Sequence, residues 1–143
     1  MSRVDSDAMA DRIEAGFEKN GFGLWAVEVP GRAAFIGFIG LQVPNFEAHF
    51  TPCVEIGWRL SAESWGNGFA TEGAKAALAF GFRSLRLKEI LSFTVPANVR
   101  SRRVMERIGM THSPEDDFDH PLIEEGHRLR RHVLYRIVRP GNE

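Results

Sequence analysis

Two segments carry residues whose types and spacing could do chemistry. The first is WRLSAESWGNGFATEG, residues 58–73, in which Gly66 and Gly68 stand just ahead of a helical pattern. Glycine lets a backbone approach an anion closely, and a helix N-terminus offers unpaired N–H groups with roughly half a positive charge, so a phosphate could be held there without a basic side chain. Taken alone, the two glycines fit a plain strand-to-helix turn equally well. A nucleoside triphosphate loop is rejected, because Gly68 is followed by Phe69-Ala70 and not by Lys-Ser/Thr. A dinucleotide fingerprint matches poorly, since Thr71 stands where a third small residue is needed. The second segment is Asn98-x-x-Ser101, an amide and a hydroxyl at the start of another helical pattern. An N-cap and a first-turn filler are the ordinary uses of that pair.

The elements that must position these residues follow from periodicity. Val4 to Lys19 carries Ala8, Met9, Ile13 and Phe17 at helical spacing and ends at Asn20-Gly21. Leu24–Val29 and Ala33–Gln42 are strand-like and are joined as a hairpin by Pro30-Gly31-Arg32. Cys53–Leu60 alternates, with Val54, Ile56 and Trp58 on one face and Glu55, Gly57 and Arg59 on the other. Phe69–Arg86 is the strongest helix, striped by Ala70, Ala74, Ala77, Leu78, Gly81 and Leu85. Glu89–Val95 is a buried strand, Val99–Ile108 a helix stopped by Gly109, and His132–Val138 a last strand. Thr111–Gly126 is expected to be a long acidic loop. Helix, hairpin, strand, helix, strand, helix, strand mixes antiparallel and crossover connections, an α+β arrangement built on a mixed sheet.

Composition narrows the function. A chain of 143 residues, 43% hydrophobic and 26% charged, fits one domain over 1–143. The single cysteine, Cys53, excludes an internal disulfide framework and a multi-thiolate zinc site, and no metal is expected. Eighteen basic against nineteen acidic residues argue against nucleic-acid binding by bulk charge. The longest apolar run, Ala33–Leu41, is far short of the ~18 residues of a membrane span, and the start MSRVDSD does not read as a signal peptide. The expected setting is cytoplasmic, with no membrane partner.

The run from Val54 to Met110 resembles the core of the GNAT superfamily of N-acetyltransferases, in the branch that includes the ribosomal-protein-acetylating enzymes. The ordered features are a strand, the loop WGNGFATE, a long helix, a strand, and Asn98-x-x-Ser101 on a helix ending in Gly109-Met110. The superfamily's general pattern begins the loop with Gln or Arg where Trp65 stands, a substitution usual in this branch.

The resemblance implies a donor, acetyl-coenzyme A, held by a core over residues 53–110. Its pantetheine arm would lie where two parallel strands part, along Trp58, Arg59 and Leu60, with Asn98 holding it. Its pyrophosphate would sit on the amides of Asn67 to Thr71, within the cofactor-binding loop Trp65-Gly66-Asn67-Gly68-Phe69-Ala70-Thr71, and Arg102 or Arg103 would meet the outlying phosphate. For at least two of the four arginines Arg100, Arg102, Arg103 and Arg107, a solvated helix face is the favoured reading. An amine would attack the thioester directly, with Ser101 near the sulfur as proton donor and Glu55 as candidate base. His120, His127, Glu115, Asp117, Glu124 and Glu125 are rivals for that last role. Trp25, Phe35, Phe38, Phe46 and Phe50 read as core or wall.

The implied acceptor is a protein N-terminus or a small amine. The alternative is a non-catalytic acyl-coenzyme A binding module. Only about twenty residues precede the first hairpin strand, too few for the strand and fuller helical lid usual in the family, so the N-terminal strand is expected to be missing: either the start is truncated, or the first sheet edge is left open and covered by a partner chain in a homodimer.

Overall fold

The computed structural model describes residues 21–29, 33–60 and 68–141. The helix expected over Val4–Lys19, the Pro30-Gly31-Arg32 turn, the open-edge expectation and the front of the glycine loop, Trp65 to Asn67, lie outside the described residues.

Among the described residues seven strands form a mixed sheet. They are β1 (Leu24–Val29), β2 (Ala33–Gln42), β3 (Glu55–Leu60), β4 (Glu89–Thr94), β5 (Thr111–His112), β6 (Phe118–Asp119) and β7 (Arg131–Val138). The order is β1-β2-β3-β4-β7-β5, with β6 also on β7. Helix α1 (Phe69–Arg83) connects β3 to β4, and α2 (Val99–Arg107) follows β4. All neighbours are antiparallel except β3 and β4, the one parallel pair.

The stretch expected as a loop, Thr111–Gly126, contains β5, β6 and a single 3₁₀ turn, Pro114–Asp116. Two-residue strands carry no periodicity of their own and exist because β7 offers them a ladder.

α1 lies close to the sheet because its inner face is small. Ala74, Ala77, Leu78 and Gly81 are buried against Ile39, Leu41, Ile56 and Ile90. A methyl group added at Gly73 would stand 2.5 Å from the Ile39 side chain. α2 adds Val104 and Met105 to this core. The opposite face of the sheet carries a second cluster, Phe50, Leu91, Phe118 and Leu134, flanked by Phe46, Cys53 and Phe93. β4 lies between the two cores, and Ile90, Leu91 and Ser92 are all buried. Phe46 and Phe50 are therefore core, and Trp25 packs edge-on against Phe80 at 5.2 Å.

Candidate functional site

The parallel pair is also where the sheet opens. β2 and β3 share six residue couples, and so do β4 and β7, but β3 and β4 share one, Glu55 with Leu91. Val54 accepts from the Leu91 N–H at 3.0 Å, and beyond that the strands part. A parting inside a sheet costs backbone hydrogen bonds. Here the buried Ser92 hydroxyl offsets one of them, donating to the Ile56 carbonyl at 2.8 Å.

The gap is a wedge of about 300 Å³. Ile56, Gly57, Trp58 and Arg59 form one wall, Ser92, Phe93 and Thr94 the other, and Asn98, Ser101 and Met105 close its helix end. Gln42 and Glu55 line it too. A second cleft, about 660 Å³, is walled by Leu60, the N-terminus of α1 from Gly68 to Thr71, and α2 through Arg100, Arg103 and Arg107. Asn98 lines both.

Local structure explains each position. Gly68 caps α1 with φ +75° and no side-chain hydrogen bond, so no polar side chain of its own occupies the helix end. Asn98 caps α2: its Oδ1 accepts from the Ser101 N–H at 3.2 Å, and its Nδ2 donates to Thr94 Oγ1 at 3.1 Å. The cap thus fixes the first turn that carries Ser101. The Trp58 indole N–H donates to Ser101 Oγ at 3.2 Å and joins β3 to α2 across the wedge. With that lone pair filled, the serine proton is directed away from the indole.

Glu55 is only 9% exposed, and among its described contacts it accepts one side-chain hydrogen bond, from Gln42 Nε2 at 3.1 Å. Burial pushes its carboxyl from an ordinary 4.5 up to about 7, with the Gln42 amide pulling the other way. An acid with that value is half ionised near neutrality, as a general base requires. Nearby Cys53 is pushed up to about 11 by burial and then by Glu55, and remains a thiol.

The structure brings Trp58, Arg59, Leu60, Gly68, Phe69, Ala70, Thr71, Asn98, Ser101, Arg103 and Glu55 to the two clefts. Arg102 lines neither. Its Nε donates to the Tyr135 hydroxyl and its Nη1 to the Pro96 carbonyl, both at 3.1 Å, because its place on α2 faces β7. Arg100 and Arg107 share the cleft wall with Arg103 at helical spacing, so three of the four arginines line the cleft where a solvated face is the expectation for at least two.

The rival bases sit elsewhere. His120 Nδ1 accepts from the Leu122 N–H and its ring lies 4.4 Å from Phe46; burial, then His132, hold it below the usual imidazole value. His127 Nδ1 accepts from the Leu129 N–H, and Asp117 pairs with His112 at 2.6 Å. Gln42, Ser92 and Phe93 were not among the expected site residues. Only the strand pairing brings them to the wedge, and no local pattern signals it.

No group of three or more potential metal-ligating residues occurs among the described residues, and none of their helices is long and apolar enough to cross a membrane.

Comparison with known proteins bears on this architecture. The family model "Acetyltransferase (GNAT) domain" matches residues 2–111. FsC-acetyl coenzyme A-N(2)-transacetylase of Aspergillus fumigatus is 36% identical over 132 residues, covering 85% of this chain and 55% of that protein. The uncharacterized N-acetyltransferase YnaD of Bacillus subtilis is 41% identical over 84 residues, 59% of this chain and 48% of its own. The chain spans about half the length of these curated relatives. Among solved structures, an acetyltransferase from Agrobacterium tumefaciens superposes with a TM-score of 0.71 at 26% identity, covering 96% of this chain and 72% of that one. The mixed sheet with its single parted parallel pair and the match over most of the sequence agree: the chain belongs to the GNAT acetyltransferase family.

Proposed function

We propose that the chain is an acetyl-coenzyme A dependent N-acetyltransferase acting on a primary amine, either a protein N-terminal α-amino group or a small amine, within a ternary complex. The observation that carries this reading is the parting of β3 from β4, which gathers Glu55, Trp58, Asn98 and Ser101 around one wedge beside a basic, glycine-capped helix end. The relatives' names support the acetyl donor. Fold likeness to a ribosomal-protein-S5-alanine acetyltransferase and to a spermidine N-acetyltransferase, at 17% and 19% identity, leaves the kind of acceptor open.

The residues present fit the donor. Strand edges that part can pair with the amides of an extended arm as they would with another strand. The first turn of α1 and the row Arg100, Arg103 and Arg107 suit phosphates by dipole, N–H groups and charge. Bound there, acetyl-coenzyme A supplies an acyl group activated as a thioester. Asn98 holds the helix end at the junction of the two clefts. Glu55, ionised above about pH 7, takes the proton of the incoming ammonium. Ser101, its oxygen held by Trp58, presents its proton toward the wedge to steady a departing thiolate. Most of the acceleration then comes from holding two reactants in line.

The test is release of free thiol from acetyl-coenzyme A with an amine panel, the products identified by mass. Acylation of a primary amine supports the reading. Stabilisation by coenzyme A without any acylated product would leave a non-catalytic acyl-coenzyme A binding module.

A further inference from the structure

We propose that Gln42 is a positioning residue for Glu55, acting through its side-chain amide to set the ionisation and the orientation of that carboxylate at the wedge. This rests on the assignment of Glu55 as the base. The two residues face each other across β2 and β3 in direct register, so their side chains leave the same face of the sheet. The amide Nε2 donates to Oε1 at 3.1 Å, and both residues line the wedge. Glu55 is buried while Gln42 is exposed, so the amide reaches in from the rim.

The other groups around Glu55 explain why one amide matters. Opposite it in register on β4 is Leu91, and Phe93 is the next β4 side chain on that face to line the wedge. Two residues before Glu55, just ahead of β3, Cys53 remains a neutral thiol, and on β3 Arg59 lies four residues along at the exposed end. The ion pair of Arg136 with Glu89 is engaged within itself and with Asp116. Among the described residues Gln42 is thus the neutral donor on the carboxylate. A hydrogen bond to the charged form favours it, whereas the hydrophobic surround favours the acid.

The test uses Gln42→Met, which keeps the length and removes the donor, and Gln42→Lys, which replaces it with a charge. The Glu55 carboxyl is titrated directly by carbon-13 NMR, and the pH profile of kcat/KM is recorded on the same proteins. In Gln42→Met the Glu55 midpoint should rise by roughly one pH unit, and the acidic limb of the profile should move with it. In Gln42→Lys both should move down. A merely structural role would lower the plateau at every pH and leave the midpoint in place. Unmoved Glu55 midpoints in both variants would overturn the proposal. If the NMR midpoints shift as expected but no amine is acetylated by any form, the coupling stands and it is the assignment of Glu55 as a catalytic base that fails.

Discussion

Ser101 and Glu55 face the same wedge from opposite sides of the sheet, and each is held by one neighbour that sets what its proton can do. Replacement of Ser101 by Ala should lower kcat by about 10- to 100-fold with little change in coenzyme A affinity, as steady-state kinetics and calorimetry would show. Glu55 makes a prediction with two signs. The folded chain releases its proton near pH 7 and the unfolded chain near 4.5, so between those values the folded state binds more protons and stability falls as pH rises. The loss is complete above pH 7 and amounts to about 3 kcal/mol. Glu55→Gln should therefore match the wild type in thermal melts at about pH 4, be the more stable protein at pH 8, and lose acetylation by about 100-fold or more. A buried carboxylate that costs stability when ionised fits the role proposed for Glu55 better than a role in folding.

At the scale of elements, β2 and α2 set the shape of the clefts. Gly37 has φ +146°, and a methyl group there would collide with the Arg59 carbonyl on β3. Gly37→Ala should cost about 3 kcal/mol in denaturant melts, because the end of β3 that lines the larger cleft would have to leave its partner. Along α2 the arginines divide by face. Arg103→Ala combined with Arg107→Ala should weaken coenzyme A binding about tenfold or more, whereas Arg102→Ala should act first on stability, by removing a partner of the buried Tyr135 hydroxyl. That division was not legible in the sequence. Arg100, Arg102, Arg103 and Arg107 are alike as residue types, and only the seating of α2 on β7 decides which one turns inward. By contrast, the apolar stripe of α1, the alternation of β3 and the Asn98 cap were legible, because each depends on neighbours within a few residues. Gln42 and Ser92 are the opposite case: what they do is defined by strands 13 and 36 residues away in sequence.

For the whole molecule, the proposed function makes the parted sheet and the paired clefts a single device that would place a donor beside an acceptor. Coenzyme A at about 100 times its Kd should stabilise the fold by about 2.7 kcal/mol in a thermal-shift titration. That gain should shrink as salt rises, since the arginine wall acts through partly solvated charge. The mixed sheet was readable from the order of elements, and the glycine loop with Asn98-x-x-Ser101 pointed to the donor. The acceptor was not readable, because acceptor walls are assembled from loops and distant strands whose chemistry varies independently of the fold. The most direct test of the account is the stoichiometry of acetyl transfer across a panel of peptides with free N-termini and small primary amines. One free thiol is expected for each acylated amine, with a rate that rises through about pH 7 and is lost in Glu55→Gln. Coenzyme A binding with no acylated amine anywhere in the panel, or an undiminished rate in Glu55→Gln, would contradict it.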